Sequence, residues 1–228
     1  SQMKIDIADG QFTGWDDPRL PTVKAMRRRG FCTEAMKRFW LDFSLTQKDI
    51  SVPLATLESL NAKVIDKDAP RLSFIQEPVK LTLSCDGEKL PEVLNIPRHP
   101  LHEELGMREW PLDNACGLEV FIEKEDYDAA LSNNGSLRLK DFADIEIDDS
   151  KGGRIIGMNR SDERPIVHWL AAGMERSFIL HRPTEYGEWP LVEGLIEDNL
   201  HQVGMVVQLE RIGFARIESD EVMIWTHS

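Results

Sequence analysis

The chain has 228 residues, of which 41% are hydrophobic, and its formal net charge at pH 7 is −13. This length allows one large domain or two modest domains, each able to bury a hydrophobic core. The acidic balance argues against a nucleic-acid partner unless Lys and Arg residues cluster on one surface, because phosphate contacts depend on clustered cations.

The cysteines and the apolar runs exclude several classes of protein. Cys32, Cys85 and Cys116 are widely spaced and form no C-x-x-C pair, so neither a zinc site nor a disulfide framework is predicted. No apolar run approaches the ~20 residues that span a bilayer, and the N-terminus lacks the features of a signal peptide. We therefore expect a cytoplasmic protein with no membrane partner.

Helical spacing of apolar residues in the first third of the chain predicts three short helices. The first runs from Val23 to Arg29 and ends at Gly30. The second has Thr33 as its N-cap and closes at Ser44, and the third begins near Pro53. The most closely spaced cations of the chain lie in this part: Arg19, Lys24, Arg27, Arg28, Arg29, Lys37 and Arg38.

After Pro78 the apolar residues alternate with polar ones, which is typical of strands. This alternation predicts strands at 79–84, 118–123, 136–140, 144–148, 154–158, 166–170, 177–181, 205–211, 214–218 and 222–226. Many short strands separated by turn residues favour an antiparallel barrel or sandwich over a parallel sheet. Prolines place the domain boundary between Ala69 and Val79.

The most informative motif is G-W-D-D-P-R-L-P-T at positions 14–22, followed at once by the basic helix. Gly14 allows a tight approach, Trp15 supplies an apolar anchor, and Asp17 is suited to cap a helix that begins at Pro18. The motif resembles the block that follows the K-x-S-x-S loop in the glutamyl/glutaminyl branch of class I aminoacyl-tRNA synthetases.

Further blocks resemble this family in the same order along the chain: 65–71, 77–81, 98–100, 105–108, 137–141, 166–169 and 207–214. The resemblance implies a helical subdomain that connects a catalytic core to two β-barrels that bind the tRNA anticodon. The expected fold class is therefore α+β, mainly β, with a small N-terminal helical subdomain followed by two antiparallel β-barrels. Residues 1–74 are expected to form the end of the catalytic domain and the helical subdomain, and residues 75–228 the anticodon-binding region.

The strand-rich second half resembles the archaeal and eukaryotic glutamyl type or the glutaminyl type, because bacterial glutamyl enzymes carry a helical anticodon domain. Segments 20–22 and 49–53 and the short acidic chain end are more similar to the archaeal glutamyl type. The expected partner is then tRNA(Glu), with tRNA(Gln) as a second candidate and no DNA. The glutaminyl enzyme and a stand-alone RNA-binding module without catalysis remain the alternatives.

The sequence lacks the H-I-G-H signature and the nucleotide-binding half that precede these blocks in the family. Ser1 falls at the last serine of the K-x-S-x-S loop, and it is either that serine or an unrelated extra residue. We therefore expect a missing N-terminal catalytic half as a partner, ATP and Mg²⁺ only in the full enzyme, and no activity or bound cofactor in this fragment alone.

Two residues are expected to contact anticodon bases by resemblance to the family. Arg108 matches an arginine that contacts the central anticodon uridine in the glutaminyl branch, and its guanidinium suits base acceptors or phosphate. The alternative for Arg108 is an ion pair with Glu103, Glu104 or Glu109. Gln208 matches a second base-contacting position, and its alternative is an ordinary exposed strand residue.

The other expected RNA contacts are cations. Arg138 and Lys140 alternate with leucines, so both charges lie on one face of a strand and suit RNA, although a charged outer face of a barrel needs no function. The remaining contacts are Lys80 in the barrel region, and Arg27, Arg28 and Arg29 at the inside of the tRNA L, where a solvated helix end is the alternative.

Histidines and tryptophans are weaker candidates for metal ligands and for base-stacking residues. His99 and His168 have no Cys or carboxylate neighbour at convincing ligand spacing, so no metal site is predicted. Trp40, Trp110 and Trp225 are able to stack on bases, although most tryptophans in such domains belong to the core.

Overall fold

The computed structural model describes residues 2–42, 52–85, 89–113, 117–160, 163–184, 187–198 and 202–228. Ser1, the predicted helix end at Ser44, Cys116 and most of the segment 49–53 lie outside these ranges. The described residues form five α-helices: α1 (Gln2–Ala8), α2 (Val23–Arg29), α3 (Thr33–Asp42), α4 (Leu54–Ile65) and α5 (Lys124–Leu131). Helices α2, α3 and α4 confirm the three predicted helices, whereas α1 and α5 were not predicted.

The same residues form sixteen strands: β1 (Arg71–Leu72), β2 (Phe74–Gln76), β3 (Pro78–Ser84), β4 (Val93–Pro97), β5 (Met107–Pro111), β6 (Leu118–Glu123), β7 (Ser136–Leu139), β8 (Asp144–Ile147), β9 (Gly152–Gly157), β10 (Ile166–Val167), β11 (Leu170–Ala171), β12 (Glu175–His181), β13 (Leu191–Glu197), β14 (Val206–Leu209), β15 (Gly213–Ile217) and β16 (Val222–His227). The predicted α+β, mainly β class is confirmed, and the sheets include a curled half-barrel. Strands β1, β2, β4, β5 and β13 were not predicted.

The chain divides into two compact units. The first unit contains Ser1–Arg71, Ile179–Val192 and His201–Ser228, so the N-terminal helices fold with the C-terminal strands. The second unit contains Leu72–Phe178 and Glu193–Leu200. The predicted boundary at 74/75 lies close to the 71/72 division between the units. The prediction did not include the later return of the chain to the first unit. The predicted domain assignment itself stays a prediction.

The second unit contains a seven-stranded sheet in the order β10-β7-β8-β9-β3-β6-β11. Strand β3 shows why it forms, because Val79, Leu81 and Leu83 are buried while Lys80 and Thr82 are exposed. Most pairs are antiparallel, but β3 pairs with β9 and β7 pairs with β10 in parallel. Alternation of apolar residues gives the burial of each strand and not its direction, so sequence reasoning missed the parallel pairs.

In the first unit, strands β14, β15 and β16 form an antiparallel meander. The C-terminal residues of β12 extend it by a parallel pair with β16, with Ile179 opposite Val222 and His181 opposite Ile224. The backbone of Gln208 donates a 2.9 Å hydrogen bond to the carbonyl of Pro70. These strands provide the rigid support on which α2 and the turn after it are fixed.

Helix α2 begins at Val23, as predicted for the basic helix, and no helix begins at Pro18 as the motif suggested. Thr22 is its N-cap, because the Thr22 hydroxyl accepts a 3.0 Å hydrogen bond from the backbone of Ala25. Asp17 does not cap a helix at Pro18, where the chain forms a turn; its carboxylate instead binds Thr13 and Arg19. Burial alone would raise the pKa of Asp17, but the hydrogen bonds from Arg19 and Thr13 lower that pKa well below its usual value.

Helix α2 ends at Gly30, which adopts a left-handed conformation with φ 105°. Its N–H donates to the carbonyls of Arg27 and Met26, and this satisfies the helix end. A Cβ atom at Gly30 would lie 2.6 Å from the Thr226 hydroxyl oxygen. Only glycine therefore combines this backbone conformation with this close approach to β16.

We expect Gly30→Ala to lower the free energy of unfolding by about 2–4 kcal/mol, because it adds left-handed strain and a clash with Thr226. Gly10→Ala is the matched control, since Gly10 has φ 76° and a Cβ atom there would have no neighbour within 4 Å. That control should lose only the strain, about 1–2 kcal/mol. Urea denaturation of both variants checks this, and equal losses would show that the approach to Thr226 does not matter.

Candidate nucleic-acid interface

The three consecutive arginines of α2 occupy three different environments. Arg27 is exposed, whereas Arg29 is buried and donates a 2.8 Å hydrogen bond to the carbonyl of Thr226. Arg28 lies between them in exposure and forms ion pairs of 2.8 Å with Glu218 and 3.3 Å with Asp16. Of the three predicted RNA cations, only Arg27 is therefore both exposed and without a carboxylate among the described residues.

Asn61 on α4 fixes the turn between α2 and α3. Its side-chain oxygen accepts a 2.8 Å hydrogen bond from the backbone of Cys32, and its amide nitrogen lies 2.9 Å from Nε2 of His227. Because the Asn61 amide group donates, Nε2 of His227 accepts, and the ring proton sits on Nδ1, 3.1 Å from the Ser228 carbonyl. Neutral His227 thus joins β16 to the helices.

Arg108 lies in the interior of the second unit. Strand β5 alternates, so Arg108 and Trp110 are buried while Met107 and Glu109 are exposed. The Arg108 guanidinium forms a 2.7 Å ion pair with Glu197, whose carboxylate is fully buried. Arg108 is thus paired with a residue 89 positions away in the sequence, and its base-reading role stays a prediction.

Glu197 on β13 is the centre of this buried cluster, and sequence reasoning missed it. In addition to Arg108, its carboxylate accepts a 3.0 Å hydrogen bond from the Trp110 indole and a 2.8 Å hydrogen bond from the backbone of Ser73. A fully satisfied carboxylate of this kind fixes the strands around it. Glu197 is the last residue of a strand that also contains Glu193, so the sequence neither distinguishes this carboxylate nor reveals its partner.

Arg138 and Lys140 extend from the region of β7 as predicted, but Arg138 is largely buried. Its guanidinium lies 2.6 Å from the carboxylate of Asp144, which has no exposed surface. Lys140 is half-buried, and its backbone carbonyl accepts a 3.0 Å hydrogen bond from the Trp169 indole. This arrangement positions β7 firmly and leaves the RNA roles of both residues as predictions.

Lys80 and Gln208 lie on strand surfaces. Lys80 on β3 is exposed and forms a 2.7 Å ion pair with the exposed Glu119. Gln208 on β14 is half-buried and lies opposite Phe214 in the antiparallel pair. Surface ion pairs cost little to break, so Lys80 can exchange its carboxylate for a phosphate at small energetic cost.

Glu123, Asp126 and His168 bring three potential metal ligands within 4.8 Å of one another in the second unit. Nε2 of His168 lies 3.2 Å from the Phe74 carbonyl and 3.6 Å from Glu123, and Glu123 also accepts from the backbone of Gln76. The contacts of His168 and Glu123 join β2 to β6, and Asp126 on α5 lies beside them. No sequence spacing reveals this cluster.

Comparison with known proteins gives the class. Residues 69–160 match the family "tRNA synthetases class I (E and Q), anti-codon binding domain". This match confirms, for residues 69–160, the resemblance on which the expectations rested.

Over nearly its whole length the chain is similar to archaeal glutamate–tRNA ligases. It is 34% identical to that of Archaeoglobus fulgidus over 241 residues, covering 100% of this chain and 39% of the relative. It is 34% identical to that of Pyrococcus abyssi, covering 100% and 40%, and 33% identical to that of Methanosarcina mazei, covering 96% and 37%. The chain thus spans about two fifths of the length of these curated relatives. Within the described residues, no helix is long and apolar enough to cross a membrane.

We expect Arg108→Ala to lower the free energy of unfolding by about 3–5 kcal/mol, because it leaves the Glu197 carboxylate buried without its cation. Arg154→Ala is the matched control, since it removes an exposed Arg–Glu pair on a strand and should cost less than about 1 kcal/mol. Adding Glu197→Gln to Arg108→Ala should recover part of the loss. Urea denaturation measures all three, and a loss below about 1 kcal/mol for Arg108→Ala would contradict the buried pair.

We also expect the stability to fall as the pH falls below about 6.5. Burial lowers the pKa of His227 below its usual value of 6.5, Arg29 lowers this pKa further, and the hydrogen bond to Ser228 opposes both. In the unfolded chain this histidine takes up a proton near pH 6.5, whereas in the folded chain it does so only at lower pH. The contribution of neutral His227 to the free energy of unfolding is therefore complete above pH 6.5 and is lost as the pH falls below it.

Unfolding curves between about pH 8 and pH 5 check this expectation, and His227→Gln should make the decline shallower. Burial also lowers the pKa of His181, so His181→Gln should likewise make the decline of stability at low pH shallower. An unchanged decline in His227→Gln would show that this histidine is not held neutral by the fold.

Proposed function

We propose that this chain is the tRNA-binding, C-terminal part of a glutamate–tRNA ligase, and that it recognises the anticodon and the inside of the tRNA L. The observation that carries the proposal is the match of residues 69–160 to the anticodon-binding domain family. The similarity of the whole chain to about two fifths of archaeal glutamate–tRNA ligases supports it. The predominance of short strands, typical of such domains, supports it as well.

In the whole ligase, glutamate is activated with ATP and transferred to the 3′ end of the tRNA. Mg²⁺ and ATP belong to the catalytic portion of that reaction, and we assign no residue of this chain to either. This chain contributes binding energy and selection, because a bound anticodon orients the tRNA for transfer at a distant catalytic centre. The proposed location is the cytoplasm, where tRNA is aminoacylated.

The proposed contacts fall into two groups. Gln208 and Arg108 are proposed for the anticodon bases, with the condition that Arg108 exchanges its contact with Glu197 when RNA binds. The cations proposed for the RNA backbone are Lys80, Arg138 and Lys140 on the strands, and Arg27, Arg28 and Arg29 on α2. Exposed Arg27 and Lys80 require the least rearrangement, so they are the strongest members of the second group.

The proposed tRNA is tRNA(Glu), and tRNA(Gln) is the second candidate because enzymes of the archaeal glutamyl type, which the chain resembles, often use both. A net charge of −13 repels RNA at long range, so the chain must rely on local cations and its affinity must fall with salt. Selection among tRNAs then depends on the bases, since all tRNAs share the same phosphate backbone.

We expect this chain to bind tRNA(Glu) at least about tenfold more tightly than an unrelated tRNA at both low and high salt, with weaker binding of both at high salt. Filter binding with tRNA(Glu), tRNA(Gln) and the unrelated tRNA measures this preference. Comparable affinity for tRNA(Gln) would indicate a reader that accepts both. Equal, salt-sensitive binding of all three, or no binding, would contradict anticodon recognition by this chain.

A further inference from the structure

An exposed apolar groove crosses α2 and α3 in the first unit, and its volume is about 630 Å³. We call it the α2–α3 face; the residues that matter for its chemistry are Val23, Arg27, Met36, Lys37, Trp40 and Leu41. Trp40 has 67% of its surface exposed, Leu41 76% and Val23 65%. So much exposed apolar surface is unusual beside a folded core and is typical of an interaction site.

The face has a regular geometry. Val23 and Arg27 are four positions apart on α2, and Lys37 and Leu41 are four positions apart on α3, so each pair shares one side of its helix. Trp40, three positions after Lys37, lies on the same side of α3. A cation thus stands beside the exposed indole, at a spacing that side-chain packing on a helix allows.

The cations of this face are not neutralised within the part of the chain that the structure describes. Arg27 and Lys37 line the groove and exposed Lys24 precedes Arg27 by three positions, and none of them has a carboxylate within ion-pair distance there. In the whole chain acids outnumber Lys and Arg by 40 to 27, and the nearby Arg28 and Arg38 each form an ion pair with a carboxylate. The face is therefore a basic patch on an acidic protein.

Exposed indole and unneutralised cations together fit single-stranded RNA. Every base has an aromatic face that stacks on tryptophan, and the phosphates on either side of that base bind cations without sequence preference. A protein partner would equally cover Val23 and Leu41, but it would require acidic groups to meet Lys24, Arg27 and Lys37. RNA supplies both an aromatic base and an anionic phosphate in each nucleotide.

We propose that the α2–α3 face binds an unpaired nucleotide of the tRNA, with Trp40 stacked on its base and Arg27 and Lys37 on the flanking phosphates. This inference rests on the proposed function and adds a stacking contact by Trp40 and a phosphate contact by Lys37 to the Arg27 contact proposed there. The support beneath the face is rigid, because Gly30, Asn61 and His227 fix the turn between the two helices. A rigid platform loses little conformational entropy when a base stacks on it.

Affinity for tRNA(Glu) tests the proposal. Trp40→Ala should weaken binding about 5- to 100-fold, and Trp40→Phe should keep most of the affinity because a smaller aromatic ring still stacks. Arg27→Ala and Lys37→Ala should each reduce the slope of log affinity against log salt by roughly 0.7–0.9, the change expected for one lost phosphate contact. Leu191→Ala and Lys63→Ala, exposed residues outside the groove, are the controls and should bind as the unmodified chain does.

A second measurement keeps the test independent of folding. Hydroxyl-radical footprinting of the unmodified chain should show that tRNA protects Trp40 from oxidation, while Trp15, which is 41% exposed, keeps its reactivity. If the unmodified chain binds tRNA(Glu) but Trp40→Ala and Lys37→Ala bind equally well and Trp40 stays reactive, the proposal is overturned while the proposed function stands. A protein partner would then be the candidate occupant of the face. If the unmodified chain binds no tRNA, both fail together.

Discussion

Buried carboxylates fix the positions of several arginine side chains in this protein. Asp17, Asp144 and Glu197 are almost completely removed from solvent, and each holds an arginine at 2.6–2.7 Å. A buried charge without a partner costs several kcal/mol, so these arginines cannot leave without a large loss of stability. RNA contacts by Arg108 or Arg138 would therefore have to offset this loss, whereas exposed cations are available without it.

Exposed cations suited to RNA contact lie on helices α2 and α3. Paired arginines such as Arg108 and Arg138 hold strands in place, and rigid strands are what a reader of splayed bases needs as a scaffold. Arg27 and Lys37 on α2 and α3 stay unneutralised among the described residues, beside the exposed Trp40. In an acidic protein, such a local concentration of cations and aromatic surface allows RNA binding that the net charge would oppose.

The sequence predicted the parts that local patterns encode. Periodicity gave α2, α3, α4 and most strands, and the left-handed end of α2 follows from Gly30. Strand β13 was missed because Gly194 interrupts its pattern, although the close approach of the Ile75 carbonyl leaves room only for glycine there. The buried pair of Arg108 and Glu197 was beyond reach, since 89 residues separate its members and only the folded chain brings them together. Parallel pairing and the exposure of Trp40 depend on tertiary structure in the same way.

Anticodon recognition by this chain is best tested by exchanging the anticodon of the bound tRNA. The measurement is the dissociation constant of this chain for tRNA(Glu) and for the same tRNA carrying an unrelated anticodon, at one fixed salt concentration. We expect the exchange to weaken binding at least about tenfold, because the phosphate contacts stay while the base contacts are lost. Equal affinity for the two tRNAs would contradict it and would mean that this chain binds tRNA without reading its anticodon.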